Sequence, residues 1–192
     1  MRLPTEQRTD VGMQFFTPEL YLNFNSQDDV VADRANESWE EALRNYDRHL
    51  NKLRVHMGSH IRQFSEMCLH DADVLAFSSE AQSRVTRRRY SPVWSAVAVL
   101  TVRLDEQVHT LVYSLRDHVR EAPAPQDWPF SPQRVHWLYD EFDIGDVPLG
   151  GFRHRILLSN GRVIEIPFTS IVCQTSSWST SESRPVAASI AE

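Results

Sequence analysis

The chain has few cysteines and no long apolar run, and each absence excludes a class of protein. Cys68 and Cys173 are its two cysteines, and without a CxxC pair they form neither a zinc-knuckle nor a thioredoxin-like motif. Two distant cysteines favour reduced thiols in a cytoplasmic protein. The most apolar run, residues 93–104, contains polar and charged residues and is too short to cross a bilayer as a helix. The first ten residues lack the apolar core of a signal peptide. We therefore expect a cytoplasmic protein with no membrane partner.

Basic residues are outnumbered by acidic ones, 20 to 26, for a formal charge of −6. This balance disfavours a dedicated nucleic-acid or anionic-membrane binder, because both need a net basic surface. One local basic run remains, RVTRRRY at residues 84–90, which suits an acidic protein or a phosphate group. The alternative is a solvated loop paired with the chain's own acids. We predict no nucleic-acid partner and take Arg87, Arg88 and Arg89 as candidate protein-binding residues.

Recognisable catalytic motifs are missing from the sequence. It contains no GxSxG, GxxxxGK[ST], GxGxxG or HExxH pattern. His56 and His60 have the i, i+4 spacing of a helical metal pair, but Gly58 lies between them and no third ligand is near in sequence. We interpret them as surface histidines, and predict no metal and no cofactor.

Length and composition predict a single domain. A chain of 192 residues with 41% apolar residues is long enough for one core, and no internal repeat is present. Residues 1–12 are polar and patternless, which predicts a disordered arm and makes Met13 an alternative start. The folded domain is predicted to span residues 13–174, followed by a disordered Ser/Thr-rich tail at residues 175–192.

Helical periodicity dominates the first third of the chain. Thr17 and Pro18 are typical of a helix start, and Ser26 or Asp28 of a second. Apolar residues then recur at alternating steps of four and three, which places them on one helical stripe. The stripe comprises Trp39, Leu43, Tyr46, Leu50, Leu53 and Met57. Gly58 interrupts this pattern, so we predict two helices or one kinked helix.

Alternation with a period of two replaces the helical period from Asp73 onward. Strands are predicted at residues 73–78, 95–104, 108–115 and 134–142, with a loop at 79–92 and a proline-rich connection at 121–132. A final hairpin spans residues 152–168, where Asn160 and Gly161 favour a two-residue type I′ turn. Sequential hairpins favour an antiparallel sheet. The predicted fold is α+β, with N-terminal helices packed on an antiparallel meander of about six strands.

The predicted hairpin register brings four titratable residues together. A two-residue turn places Ile156 opposite Glu165, so that His154 shares a face with Glu165. His136 and Asp140 share a face of the adjacent strand. Two imidazoles and two carboxylates are suited to a divalent metal or to general acid–base chemistry.

These four residues match no ligand motif of fixed spacing. The alternative is that they are solvent-side polar residues in cross-strand salt bridges to Arg153 or Arg155.

Aromatic residues predict a second candidate surface. Trp94, Tyr113, Trp137 and Tyr139 are placed by strand alternation on the face of the sheet away from the helices. An exposed aromatic patch there is typical of a partner surface, with Trp137 and Tyr139 as its central residues. The alternative is that the segments at residues 79–92 and 121–132 fold over this face and bury it.

Four segments together resemble an uncharacterised bacterial family, a domain of unknown function. They are FFTPELY at residues 15–21, the helix led by Trp39, LHDADVL at residues 69–75, and the hairpin at residues 151–168. The resemblance covers roughly residues 13–172. It implies a bacterial cytoplasmic setting and a start at Met13, and it implies no activity and no catalytic residues.

Two functional predictions follow from different classes. The first is a non-enzymatic interaction module, of an immunity or regulatory type by analogy, that binds a protein partner or itself. The second is a small metal-dependent or acid–base hydrolase using His136, Asp140, His154 and Glu165.

Overall fold

Three helices form the first part of the fold. The computed structural model describes residues 11–83, 94–130, 133–145 and 151–178. Its helices are α1 (Pro18–Phe24), α2 (Asp29–Leu53) and α3 (Ser59–Phe64). The predicted start at Thr17 is confirmed, since its hydroxyl accepts a hydrogen bond from the Leu20 amide at 3.2 Å. The Asp28 carboxylate caps α2, and Gly58 precedes α3, which confirms two separate helices.

Within the described ranges, seven strands build one antiparallel sheet. They are β1 (Asp73–Ser83), β2 (Trp94–Leu104), β3 (Gln107–Leu115), β4 (Arg120–Ala122), β5 (Trp137–Ile144), β6 (Phe152–Leu158) and β7 (Val163–Ser177). The order is β1-β2-β3-β7-β6-β5, with the short β4 paired to β7. The predicted α+β class is confirmed. Two three-stranded meanders, β1-β2-β3 and β5-β6-β7, are joined by pairing of β3 with β7.

The sheet curls until the first residues of β1 meet the first residues of β5. Asp73 forms an isolated bridge with His136. Beside it, the Val74 amide donates to the Val135 carbonyl at 2.8 Å and the Trp137 amide to the Ala72 carbonyl at 2.9 Å. We call this contact the β1–β5 junction. It gives the sheet an inner and an outer face.

The inner face holds the larger of two hydrophobic cores, the interior core. The end of α2 and the whole of α3 pack into it against side chains from all of the long strands. Its large buried members include Leu50, Leu53, Ile61, Phe64, Leu100, Leu111, Tyr113, Trp137, Phe142 and Phe168.

The outer face of β5, β6 and β7 carries the second core, the outer core. Trp39 and Ala42 of α2, with Met13 and Phe16, cover Leu138, Leu157 and Val163 there. Helix α2 therefore crosses the free edge of β5 and reaches both faces of the sheet. Leu43 of the predicted stripe does not take part, since it is 47% exposed.

Both hairpin turns differ by one residue from their predicted lengths. The β2–β3 turn contains Asp105 and Glu106, with Leu104 opposite Gln107, whereas a three-residue turn was expected. In an antiparallel pair a one-residue change moves a whole strand to the opposite face. His109, Leu111 and Tyr113 consequently point into the sheet interior, where they are buried.

The Asn160–Gly161 turn is one residue longer than expected. The Gly161 amide donates to the Leu158 carbonyl at 2.8 Å, and the Leu158 amide to the Arg162 carbonyl at 2.9 Å. Gly161 has a φ of 80°, as in a three-residue loop that ends in a left-handed glycine. The predicted type I′ turn is therefore wrong.

Trp128 provides the physical reason for this loop. Its Nε1 donates to the Ser159 carbonyl at 3.0 Å, and its ring lies over Gly161. The loop conformation thus depends on a tertiary contact from the proline-rich connection.

An irregularity in β5 changes which side chains face inward. The register shifts between Trp137 and Tyr139, and such a bulge breaks the alternation of faces. Trp137 therefore joins Asp140 and Phe142 on the inner face, while Leu138 and Tyr139 both pack on the outer core. The predicted shared face of Trp137 and Tyr139 is wrong for this reason.

Strand β7 extends past residue 175, where the folded domain was predicted to have ended. Strand β7 continues to Ser177, with Thr175 and Ser177 paired to His109 and Gln107. Residues 175–177, which the prediction placed in the tail, are therefore part of β7. Residues 1–10 and 179–192 lie outside the described residues. Within the described ranges, no helix is both long enough and apolar enough to cross a membrane.

Substituting Gly161 with alanine tests the packed turn. A Cβ there would lie 2.5 Å from Cδ2 of Trp128, and the positive φ adds backbone strain. We expect Gly161→Ala to lower the free energy of unfolding by about 1–3 kcal/mol, measured by urea denaturation. Gly12→Ala is the control, because no heavy atom lies within 4 Å of its added Cβ. Equal stabilities of the two variants would contradict the described turn.

Candidate functional site

The structure brings together two of the four residues predicted to form a catalytic or metal cluster. His154 Nε2 lies 3.1 Å from Asp140 Oδ2. His136 is engaged elsewhere, with its Nδ1 3.0 Å from Asp73 Oδ1 at the β1–β5 junction. Glu165 lies on the opposite face from His154, because Arg155 is opposite Glu165 in the β6–β7 pairing. The predicted convergence of all four is corrected to one pair.

Glu165 forms the cross-strand salt bridge of the alternative interpretation, but it is buried and not on the solvent side as that interpretation had it. Arg155 Nε donates to Glu165 Oε2 at 2.9 Å, and both side chains are buried on the outer face. Arg120 of β4 adds a longer contact to the same carboxylate, 3.5 Å from Oε1. A carboxylate occupied by two guanidinium groups is satisfied by ion pairing and is not a free base.

Asp140 and His154 belong to a hydrogen-bonded chain inside the sheet, which we call the interior relay. Its other members are Tyr113, whose hydroxyl lies 2.9 Å from His154 Nδ1, and Trp137, whose Nε1 donates to Asp140 Oδ1 at 3.1 Å. The ring of Phe142 stacks on His154 with centroids 4.2 Å apart. Both ring nitrogens of His154 therefore have partners, and its ring is surrounded by aromatic side chains.

The interior relay has the order of a carboxylate–imidazole–hydroxyl triad but not its accessibility. His154 and Tyr113 have no exposed surface. Burial, and then the charge of Asp140, raise the pKa of Tyr113 well above its ordinary value, so its hydroxyl stays protonated at neutral pH. A catalytic nucleophile needs both an accessible atom and an activated one. We therefore interpret the relay as a satisfied polar network that fixes the geometry of the interior core.

The predicted aromatic surface is also covered. Trp137 is 1% exposed and Tyr113 is fully buried, both in the interior core. Tyr139 is half-buried on the outer face, with ring centroids 4.5 Å from Trp39 and 4.7 Å from His70. The aromatic-face prediction is wrong because Trp137 and Tyr113 face the interior core and Trp39 of α2 packs on Tyr139.

The remaining candidate partner residues are outside the part of the chain that the structure describes. Arg87, Arg88 and Arg89 lie outside the described residues, so their prediction stays a prediction. Trp94 contributes its backbone to β2, and its side chain is likewise outside the description.

A cavity of about 360 Å³ opens between α3 and the ends of β3 and β7. Phe64 forms its inner wall and His109, His60 and Cys173 contribute polar atoms. His109 is held by a 3.0 Å contact from Nδ1 to Thr175 Oγ1, and burial lowers its pKa. None of the described lining residues is an acid, lysine or arginine, and no group of described side chains is arranged to hold a metal ion.

The N-terminal segment is fastened to the outer face by one carboxylate. Glu141, 1% exposed, accepts hydrogen bonds from the backbone amides of Gln14, Phe15 and Phe16 at 2.7, 2.6 and 2.7 Å. Burial raises the pKa of Glu141, while these amides and Arg155 oppose the rise. The sequence contained no local signal for this contact, because its partners are more than a hundred residues apart.

One open element of the described chain is the outer edge of β1. Beyond the β1–β5 junction, β1 pairs with β2 on one side, and no described strand pairs with residues 75–83 on the other. Leu75, Ala76, Ser78, Ser79 and Glu80 are exposed. We call residues 75–83 the β1 edge. Sequence reasoning missed half of it by assigning residues 79–92 to a loop, since SEAQS has no strand pattern of its own.

Comparisons with protein-family models, curated proteins and solved structures give no match to this chain. The resemblance to a bacterial domain of unknown function is therefore still a prediction.

The interior relay makes a prediction for Tyr113→Phe. Removing the hydroxyl leaves Nδ1 of His154 without its partner inside the core, which we expect to cost about 1–3 kcal/mol of unfolding free energy. Tyr139→Phe is the control, because no described residue hydrogen-bonds its hydroxyl. Chemical denaturation of both variants measures the difference, and a Tyr113→Phe variant as stable as the control would refute the relay.

The anchor on Glu141 makes a separate prediction. Glu141→Gln keeps the shape but replaces one acceptor oxygen with a donor, so at least one of the three amides loses its partner. We expect a loss of about 1–3 kcal/mol and faster hydrogen exchange at residues 14–16. Glu40→Gln on the exposed face of α2 is the control and should leave that exchange unchanged. Unaltered exchange in Glu141→Gln would show that the segment is held by other contacts.

Proposed function

We propose that this protein is a non-enzymatic interaction module that binds an extended protein segment along the β1 edge by strand addition. The observation that carries the proposal is the outer edge of β1, where no described strand pairs with residues 75–83 and backbone amides and carbonyls are left for a partner. An added strand satisfies those groups and extends the sheet, a recurrent mode of peptide recognition.

The two edges of the sheet are treated differently, and this contrast supports the proposal. On β5, the Tyr46 hydroxyl of α2 accepts a hydrogen bond from the Phe142 amide at 2.9 Å, so a helix protects that edge. Natural edges without such cover usually carry charged residues, proline or bulges. The β1 edge carries one charge, Glu80, and no proline. Its bulge lies between Val74 and Ala76, at the junction end.

The side chains of the β1 edge indicate how a partner would be recognised. Leu75 is the one large apolar side chain exposed there, at 43%, and Ser78 and Ser79 are small. Most of the binding energy would therefore come from backbone hydrogen bonds and little from side-chain pockets. Such an interface favours modest affinity and depends on the extended shape of the partner.

The hydrolase alternative has less support. It needs His136, Asp140, His154 and Glu165 at one accessible point, whereas His136 is bonded to Asp73 and Glu165 to Arg155. The imidazole of His154 is fully buried, and its Nδ1 contacts the hydroxyl of the buried Tyr113. We extend the proposal to a cytoplasmic and bacterial setting, supported by two free cysteines, Cys68 and Cys173, and by the family resemblance.

A peptide with the sequence of β1 tests strand addition without knowledge of the natural partner. We expect a labelled peptide of residues 73–83 to bind the full chain, with nuclear magnetic resonance shifts concentrated at residues 75–83. The control is the same peptide methylated on alternate backbone nitrogens, which removes the donors an added strand needs. Equal binding by both peptides, or shifts elsewhere, would argue against the proposed function.

A further inference from the structure

We propose that the occupant of the β1 edge is a second copy of this chain, paired antiparallel with Ser79 opposite Ser79 of the partner subunit. This inference rests on the proposed function and names its partner. Homodimers with two-fold symmetry use one surface twice, so that surface must be complementary to itself. The sequence of the β1 edge meets this requirement in one register.

Backbone geometry limits the registers that are available. Residues directly opposite in an antiparallel pair both point their amide and carbonyl toward the partner, or both point them away. Two identical strands can therefore pair only with a residue at the symmetry axis. Asp73 and Val74 are already bonded to His136 and Val135, so the usable strand begins at Leu75. Ser79 is the midpoint of residues 75–83, and this register pairs the whole free edge.

Charge selects the same register. With Ser79 on the axis, Glu80 lies opposite Ser78 of the partner subunit and no two charges face each other. With Glu80 on the axis, two carboxylates would be directly opposite, which is destabilising. With Ser78 on the axis, the ends of the edge would compete with the β1–β5 junction.

The surroundings of the β1 edge leave room for a second sheet. In the described part of the chain, the helices make their main strand contacts with β5 and β7 and not with β1. The exposed residues on and next to the axis, Ser79 and Ser78, are small. Pairing would join two six-stranded paths into one continuous sheet through backbone hydrogen bonds, so we expect a concentration-dependent dimer.

A charge exchange at the symmetry axis tests this register. Ser79→Lys places two ammonium groups opposite each other in the dimer, and Ser79→Glu places two carboxylates there. By sedimentation equilibrium we expect the unsubstituted chain to dimerise and each variant alone to dimerise at least tenfold more weakly. An equimolar mixture of the two variants should recover the dimer, because unlike charges then meet. Ser38→Lys and Ser38→Glu, on the exposed face of α2, are matched controls that should not change the mass.

A second variant is expected to change the dimer affinity in the opposite direction. It separates an effect on dimerisation from a loss of folding caused by substitution at residue 79. Ser78→Lys places an ammonium group opposite Glu80 of the partner subunit, and the two-fold symmetry repeats this pair. We therefore expect dimerisation to become about threefold to tenfold tighter. A weaker dimer in this variant would overturn the register. A chain that stays monomeric at all concentrations would overturn the inference itself.

The outcomes also separate this inference from the proposed function. If the β1 peptide binds but the chain stays monomeric, the edge accepts a strand from a different protein. In that case only the inferred homodimer is refuted. If the peptide does not bind and the chain is monomeric, both proposals fall. A dimer that ignores both substitutions at residue 79 would place the interface elsewhere.

Discussion

The hydrogen bonds of the β1–β5 junction are the constraint on which the rest of this structure depends. They close the curl between Ala72 and Trp137 and between Val74 and Val135, and closure is what turns one face of the sheet into an interior. The same bonds stop at Val74. Everything beyond it on β1 is left as an edge, so a single contact both creates the core and leaves the candidate binding surface.

The interior created by closure contains polar groups, of which Tyr113, His154 and Trp137 are buried and Asp140 is partly exposed. Tyr113, His154, Asp140 and Trp137 satisfy one another there, which matters because an unpaired polar group in a low-dielectric core is costly. The chain of bonds joins β3, β5 and β6, strands from both meanders. A network of this kind favours one arrangement of the interior over shifted strand registers. It resembles a catalytic triad in its residue types and not in its accessibility to substrate.

The outer face is stabilised by different means. A helix and an N-terminal segment lie across it, held by the aromatic outer core, by Tyr46 on the β5 edge and by Glu141 on three backbone amides. Buried ion pairs such as Arg155–Glu165 add geometric specificity more than net stability. These contacts cover β5, whereas no described strand pairs with the β1 edge, so the asymmetry between these two edges follows from where the described helices dock.

Sequence alone determined the element types here, because periods of 3.6 and 2 are local properties of the chain. The helices, the antiparallel sheet and the stop at Gly58 were predictable in this way. Faces and registers were decided by the tertiary structure. Trp128 on Gly161 added one residue to one hairpin loop, the other turn lost one, and a bulge reset β5. Because side chains alternate strictly along a strand, each one-residue difference moved a row of side chains to the opposite face. These changes decided which of the predicted site residues lie close together.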